Sequence, residues 1–532
     1  MQEKYVFPKH VKRVCVIGAG AAGLVSAKNL RDEGLEVKVY ERNAQLGGVW
    51  CYFDKPDARL TFPQTSPFFD ILMEVPSTLP AKTIHINNKN SHENKVPEEY
   101  PTPTYKDLFV NLPHQIMSYV NLPFPENIPM FPHYTVITKY LIDFAENHML
   151  IDLVEFQTSV ERVRENEWKD GWKVVLRHYK KKSGSEGEIE CYWREEEFDA
   201  VLVCNGHYHV PYVPEIEGLD EWNKQFSDVL YHSKYFREPN DFIDKTVLIV
   251  GGGLSAIDIS RILVRISKKP VYQSIRSSST LADFDEKTSI IIKPVIKRFS
   301  IVGNNYSKKG IIEFIDGSTL GDVDAIIFAT GYFYSFPFLR DLVYLPSVNG
   351  NSNNSENHDM QDLPENKILI KNGKGVFNLY NHIFYIPNPT LSFIGLPLHV
   401  SPFPLAQFQS LFVAKVLAGK AFLPSQEKMR QESKEEESKI LEILKQNSKV
   451  SAQTIALPEH LFHRFGSLGV EREYQYIDDL IEWINRDAFI GNTQIVNDED
   501  IAKVDVAVEK IPLWRLEMRR MLASLRIEHH RY

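Results

Sequence analysis

The chain lacks what several large classes of protein require. Only four of its 532 residues are cysteine (Cys15, Cys51, Cys191 and Cys204), and no two form a C-x-x-C pair. Neither a disulfide framework nor a dithiol redox centre is therefore indicated, and a reducing compartment is expected. There is no basic excess: 61 Lys and Arg stand against 70 Asp and Glu, a formal charge of −9, which sets nucleic acid aside as a partner because nothing remains to neutralise a phosphate backbone. No run of about 18 apolar residues occurs, so no transmembrane anchor is expected. The residues before Arg13 include Glu3 and hold no apolar core, which argues against a secretory signal and makes the cytoplasm the expected location. The sequon Asn353-Asn354-Ser355 then carries no weight. No metal site is assigned.

What is present is ordinary globular composition, 43% hydrophobic and 25% charged, in a chain long enough for about two or three domains. Its most informative stretch runs from Arg13 to Trp50. Arg13-Val14-Cys15-Val16-Ile17 is a β-branched apolar run, Gly18-Ala19-Gly20-Ala21-Ala22-Gly23 follows, a helical pattern runs to Gly34, and Glu36 to Tyr40 reads as a second strand. This is a βαβ unit with a dinucleotide fingerprint at its first turn. Gly18 permits the tight turn, Gly20 lets the backbone approach a pyrophosphate, and Gly23 lets helix and strand pack closely, while free N–H groups at the helix start meet phosphate charge. Glu41 closes the unit, where a carboxylate can accept both hydroxyl protons of an adenosine ribose.

A second fingerprint follows. Thr246-Val247-Leu248-Ile249-Val250 leads into Gly251-Gly252-Gly253-Leu254-Ser255-Ala256, with Ala256 in place of the third glycine. Laid on the first unit without a gap, it sets Ser274 at the position of Glu41, with Arg276 two residues on. A carboxylate repels a ribose 2′-phosphate, whereas a hydroxyl and a guanidinium can bind it, so NADPH rather than NADH is expected here. Around this unit lies an internal repeat: Asp199-Ala200-Val201-Leu202-Val203-Cys204-Asn205-Gly206-His207 matches Asp324-Ala325-Ile326-Ile327-Phe328-Ala329-Thr330-Gly331-Tyr332. Both read as apolar strands ending in a glycine turn.

Elsewhere the signals are plainer. Gly47-Gly48-Val49-Trp50 offers a backbone surface to lay against a flavin. Residues 51–100, rich in proline, read as mostly loop. Asn111, in Leu108-Phe109-Val110-Asn111-Leu112-Pro113, taken alone is better read as a satisfied structural amide than as a catalytic one. Residues 136–150 read as an amphipathic helix, 154–176 as strands, and the proline- and aromatic-rich 379–419 as buried core or an apolar channel. From Gln426 onward the chain turns to charged helices. In residues 513–525 Arg515, Arg519 and Arg520 are assigned to a polar face, and packing or self-association into a homo-oligomer is the reading left for them.

One site for an adenine dinucleotide and a second tuned to a 2′-phosphate suit an enzyme that passes hydride from NADPH to FAD. With no dithiol to receive the electrons, molecular oxygen is the simplest acceptor. Here the motifs are recognisable. Over roughly residues 10–425 the chain resembles the flavin-containing monooxygenases, through Gly18-x-Gly20-x-x-Gly23, Glu41-Arg42 with Gly47-Gly48-Val49-Trp50, Asn111-Leu112-Pro113, Cys204-Asn205-Gly206-His207-Tyr208, Gly251-x-Gly253-x-Ser255-Ala256-x-Asp258 and Phe328-Ala329-Thr330-Gly331-Tyr332. Residues 326–339 look most like the fungal branch, which includes the yeast thiol-specific monooxygenase. Of the family hallmark F-x-G-x-x-x-H-x-x-x-F/Y, Phe226, His232 and Phe236 are in place, but Asp228 replaces the glycine.

The resemblance implies an α/β fold of two Rossmann-like dinucleotide-binding domains, the NADPH domain (215–327) inserted into an FAD domain (1–214 and 328–424), with a helical extension (425–532). It implies that reduced FAD takes up oxygen at its C4a position as a hydroperoxide, which oxygenates a soft nitrogen or sulfur atom of a small molecule. It assigns FAD to Gly18, Ala19, Gly20, Ala21, Ala22, Gly23, Glu41, Gly48, Val49, Trp50 and Asn111, NADPH to Gly251, Gly253, Ser255, Ala256, Asp258, Ser274 and Arg276, and the catalytic amide donor to Asn111. A Baeyer–Villiger enzyme, an NADPH oxidase and a non-enzymatic dinucleotide-binding protein are the alternatives.

Overall fold

The computed structural model describes residues 4–56, 60, 62–68, 73–86, 99–181, 188–276, 289–301, 310–344, 363–447, 470–492 and 507–529. The Asn353 sequon and its loop lie outside these residues. The first βαβ unit is present as β1 (Arg13–Ile17), α1 (Ala21–Asp32) and β2 (Glu36–Tyr40), with β1 and β2 parallel and Ile17 opposite Tyr40. On its other side β1 pairs in parallel with Ala200–Val203, and the sheet continues through Leu391–Phe393, Phe384–Tyr385 and Leu379–Tyr380 at one edge and Val154–Glu155 at the other. Residues on both sides of the second fingerprint thus build one seven-stranded sheet.

β1 is buried on both faces, which is why it reads as an unbroken apolar run rather than an alternating one. Val14 and Val16 pack among helices, including α1 and Pro402–Leu417, whereas Cys15 and Ile17 face Val160, Val174 and Leu176 of a four-stranded antiparallel sheet. Each such side chain removed from water contributes roughly 1.5–3 kcal/mol. That antiparallel sheet includes Ala81–Ile86, a strand inside the stretch that reads as loop in the sequence.

The second fingerprint organises a five-stranded parallel sheet in the order Leu230–His232, Ala325–Phe328, Thr246–Val250, Lys268–Ser274, Ile290–Lys293. The internal repeat has a structural cause. Asp199 Oδ2 accepts the N–H groups of Lys12 and Arg13, both at 2.8 Å, and Asp324 Oδ2 accepts that of Thr246 at 2.9 Å. Each aspartate pins the strand that leads into a glycine turn. At the far end, a Cβ on Gly18 would meet the Cys204 carbonyl at 2.9 Å, and one on Gly251 the Ala329 carbonyl at 2.4 Å, both glycines having positive φ. The fold is therefore mixed α/β, with two Rossmann-like units, one inserted in the other.

The C-terminal helices share the first unit's core. Val470–Asn492 crosses Pro402–Leu417, burying Ile477, Leu480, Ile481 and Ile484, and Gln409 Nε2 donates to the Tyr476 hydroxyl at 2.9 Å. The amphipathic 513–525 stretch is two helices, Leu513–Arg520 and Leu522–Glu528, and its assigned polarity is corrected. Arg515 is 3% exposed, while Leu513, Trp514 and Met521 are 76%, 46% and 56% exposed. Arg515 is turned inward because backbone carbonyls of residues 118 and 119 receive it.

Candidate functional site

A cavity of about 470 Å³ opens where the first fingerprint, the turn at Gly47–Trp50, the Asn111 segment and residues 395–406 meet. Gly18, Gly20, Ala21, Ala22, Glu41, Gly48, Val49, Trp50 and Asn111 all line it. Gly20 and Gly48 face each other so closely that a Cβ on Gly48 would lie 2.9 Å from Gly20 Cα, which leaves two bare backbones at the wall. No side chain caps the start of α1 and its first turn carries no acid, so the free N–H groups there are available to an anion.

Two of the predicted residues serve the site without lining it. Ala19 is fully buried and donates its N–H to Glu41 Oε2 at 2.8 Å. Gly23 packs on the turn itself, where a Cβ would fall 1.8 Å from the Gly18 carbonyl. Glu41 Oε1 accepts the Asn43 N–H at 2.8 Å. Burial pushes the Glu41 carboxyl up, against these two backbone donors, which hold it down. Each oxygen keeps a second lone pair for a hydroxyl donor.

Other lining residues carry no signal strong enough to assign from sequence alone. Arg42 lies over the Tyr100 ring at 4.4 Å, and Tyr100 is fixed by Asn43 on both sides, its N–H donating to Asn43 Oδ1 at 2.8 Å and its carbonyl accepting Asn43 Nδ2 at 3.2 Å. Thr102 and Thr104 donate to the Cys51 and Val49 carbonyls, both at 2.6 Å, and so clamp the turn at Gly47–Trp50. Beneath them Arg177, wholly buried, reaches Glu161 Oε1 at 2.7 Å and the Tyr100 hydroxyl at 2.9 Å. Cys204 also lines the cavity, but burial pushes its thiol up to about 12. It is protonated at neutral pH, which removes it as a thiolate nucleophile.

Asn111 sits between a bridge from Phe109 to His133 and the short turn His114–Met117. Val110 N–H donates to the Pro132 carbonyl at 3.0 Å and His114 N–H to that of Met130 at 2.9 Å. The Asn111 carbonyl accepts Nε and Nη2 of Arg526 at 3.0 and 2.6 Å. Among the described residues its side-chain amide has no protein partner.

At the second fingerprint the expected placement needs one correction. Gly18 N–H donates to the Tyr40 carbonyl, and the matching Gly251 N–H donates to that of Ser274. Glu41 N–H donates to Glu155 of the next strand, and Ile275 N–H to Lys293 of its own. Ser274 is therefore the counterpart of Tyr40, and Ile275 that of Glu41. The gapless alignment ends one residue out because the pairing is irregular: Thr246 to Leu248 on one strand spans Lys268 to Tyr272 on the other, two steps against four. Ser274, 4% exposed, donates its hydroxyl to the Pro294 carbonyl at 2.7 Å, so it belongs to the sheet. Ile275 lies against Gly252, whose added Cβ would stand 3.5 Å from Ile275 Cγ2. Arg276 follows, exposed, in the place of Arg42.

Gly253 caps the helix Leu254–Leu263 with no side-chain bond, Gly253 and Ser255 are exposed, Ala256 is buried and Asp258 half-buried. Leu254 lines the same cavity as the first fingerprint. The hallmark segment ties the units together: His232 Nε2 donates to the Gly331 carbonyl at 3.1 Å and Nδ1 accepts the Lys234 N–H at 3.1 Å. Burial pulls His232 down to about 3, so the ring is neutral. Asp228 lies exposed in the 3-10 turn Ser227–Val229 with no positive φ, and this turn does not demand glycine.

A flavin-binding monooxygenase-like family profile matches residues 92–302, and that of an NAD(P)-binding Rossmann-like domain matches residues 16–64. The chain is 31% identical over 497 residues to the flavin-containing monooxygenase ustF2 of Aspergillus flavus, spanning 89% of this chain and 92% of that one. It is 32% identical over 442 residues to the flavin-containing monooxygenase FMO GS-OX-like 2 of Arabidopsis thaliana, spanning 80% and 78%. Among solved structures, the S-allyl-L-cysteine S-oxygenase of Allium sativum matches with a TM-score of 0.67 at 27% identity, over 97% of this chain and 93% of that one. Tmm from Pelagibacter shares the fold, with a TM-score of 0.61 at 18% identity.

Proposed function

The chain belongs to the flavin-containing monooxygenase family, with FAD and NADPH as its cofactors, and from that premise we propose that it uses oxygen to oxygenate a soft sulfur or nitrogen atom of a small molecule. The observation that carries this reading is that Leu254, at the start of the second fingerprint's helix, and Asn111 line one cavity with the first fingerprint. A hydride donor on the second unit then shares a chamber with a flavin on the first.

The residues fit both groups. The paired bare backbones of Gly20 and Gly48 and the uncapped start of α1 suit a pyrophosphate, and Glu41 suits the adenosine ribose. Gly251, Gly253, Ser255 and Ala256 offer a second uncapped helix start, with Arg276 beside it for the 2′-phosphate and no acid at Ile275 to oppose it. Bound FAD supplies the two-electron acceptor for NADPH and the centre at which oxygen is activated. Asn111 contributes a fixed amide donor to the reacting region, and Val110, Leu112, Met117 and Phe403 keep water from it. The balance is NADPH, a proton, oxygen and substrate giving NADP+, water and the oxygenated substrate.

The charged side chains of the lining, Glu41, Arg42 and Glu161, lie on the strand-end and Tyr100 side, and Glu161 is already paired with Arg177. Among the described residues that line the cavity, no further carboxylate is present to serve as counter-ion to an ammonium group. An uncharged thioether, thiol or amine is the favoured class, and the likeness to an S-oxygenase supports sulfur. The test is product analysis with a thioether, a tertiary amine and a cyclic ketone. Sulfoxide or N-oxide formation supports the reading; ester from the ketone alone, or peroxide alone, overturns it.

A further inference from the structure

The C-terminal helix pair fastens the segments that wall the cavity. Arg526, 5% exposed, sets both Nε and Nη2 on the Asn111 carbonyl. Arg515 donates Nη1 to the Ser118 carbonyl at 3.0 Å and Nη2 to its hydroxyl at 2.8 Å. Arg519 donates to the His399 carbonyl at 2.8 Å. Its partner Glu473 accepts the Ser401 N–H at 2.6 Å. Asn111, Met117, His399 and Val400 all line the cavity.

We propose that Arg526 is a positioning residue that orients Asn111, so that the C-terminal helices complete the reactive chamber. Asn111 stands in irregular backbone, and among the described residues neither group of the 111–112 peptide, the Asn111 carbonyl or the Leu112 N–H, makes a backbone hydrogen bond, so local backbone bonds do not fix its plane. Two donors of one rigid guanidinium on a single carbonyl do fix it, and the side chain leaving the same Cα then has a set direction. Lysine, with a point charge on a flexible stem, reproduces the attraction without the fork. This inference rests on the role given above to Asn111.

The test compares Arg526→Gln, Arg526→Lys and Asn111→Ala in the full-length holoenzyme, with Arg520→Gln as control. Arg520 is on the same helix pair but half-exposed, and among the described residues it is bonded only to Glu471, at 3.0 Å. The first readout is amide hydrogen exchange. Exchange over residues 107–120 is expected to rise about a hundredfold or more in Arg526→Gln, from the loss of two charge-assisted bonds, with the sheet peptides unchanged. The second is peroxide released per NADPH oxidised, expected to rise severalfold in Arg526→Gln, less in Arg526→Lys, and not in Arg520→Gln.

Wild-type exchange and wild-type peroxide in Arg526→Gln would overturn the proposal, as would exchange raised evenly across the chain. If Asn111→Ala leaves peroxide release unchanged, the role of Asn111 itself fails. If Asn111→Ala raises it and Arg526→Gln does not, only the positioning role fails. Should Arg526→Gln not accumulate, Arg526→Lys carries the same comparison, with about a tenfold local rise in exchange expected for the loss of one of the two bonds.

Discussion

Replacing Ile275 with glutamate is expected to turn coenzyme preference away from NADPH and towards NADH. The register of the second unit puts Ile275, not Ser274, where Glu41 stands in the first, and Ile275 is half-buried against Gly252 at the mouth of the glycine turn. A carboxylate there repels a 2′-phosphate and accepts the hydroxyls of an unphosphorylated ribose. Charge-assisted bonds of this kind are worth about 1.5–3 kcal/mol, so the ratio of kcat/KM for NADPH over NADH should fall roughly ten- to hundredfold. The same substitution one residue earlier should behave quite differently. Ser274 is 4% exposed and its hydroxyl is bonded to Pro294, so Ser274→Glu buries a carboxylate in the sheet and should cost on the order of 3 kcal/mol or more of stability without changing preference. The assay is steady-state NADPH and NADH kinetics on both variants, beside thermal unfolding. A stable Ser274→Glu protein with switched preference, and an Ile275→Glu protein without it, would refute the register and the placement of the 2′-phosphate together.

Two further outcomes follow from buried groups. Glu161→Gln leaves the wholly buried Arg177 without its carboxylate and should lower stability by about 3–5 kcal/mol, whereas the double change Glu161→Leu with Arg177→Met should cost less; denaturant unfolding of both variants beside the wild type measures it. His232 is held neutral with its ordinary value of 6.5 pulled down to about 3, so the unfolded chain binds one more proton between these values. Stability on this account is full above pH 6.5 and falls by about 1.4 kcal/mol per unit as pH drops towards 3. His232→Gln, losing stability at pH 7, should show a flatter acid limb in melting temperature against pH; an unchanged slope would mean another group sets it.

The core of the fold was legible because local rules and burial agree there. The β-branched run 13–17, the glycine turn and Glu41 each have one physical solution, and the repeated aspartates Asp199 and Asp324 announce two strands that do the same work. What could not be read depends on distant partners. The offset that moves Ser274 away from the ribose position goes with a pairing irregularity near Thr246, invisible to a gapless comparison. Arg515 sits on what looks like a polar helix face, yet carbonyls nearly four hundred residues away in sequence bury it. Asn111 had no local pattern to distinguish it from a structural amide. Its place at the cavity wall, under Arg526, depends on the C-terminal helices packing into the first unit's core.

The most direct test of the central claim is isotopic. The holoenzyme, supplied with NADPH, a thioether and 18O-labelled oxygen in unlabelled water, should give sulfoxide carrying one labelled oxygen atom for each NADPH oxidised, with little peroxide. Peroxide equal to the NADPH consumed, with no labelled product from any thioether, thiol or amine offered, would contradict it.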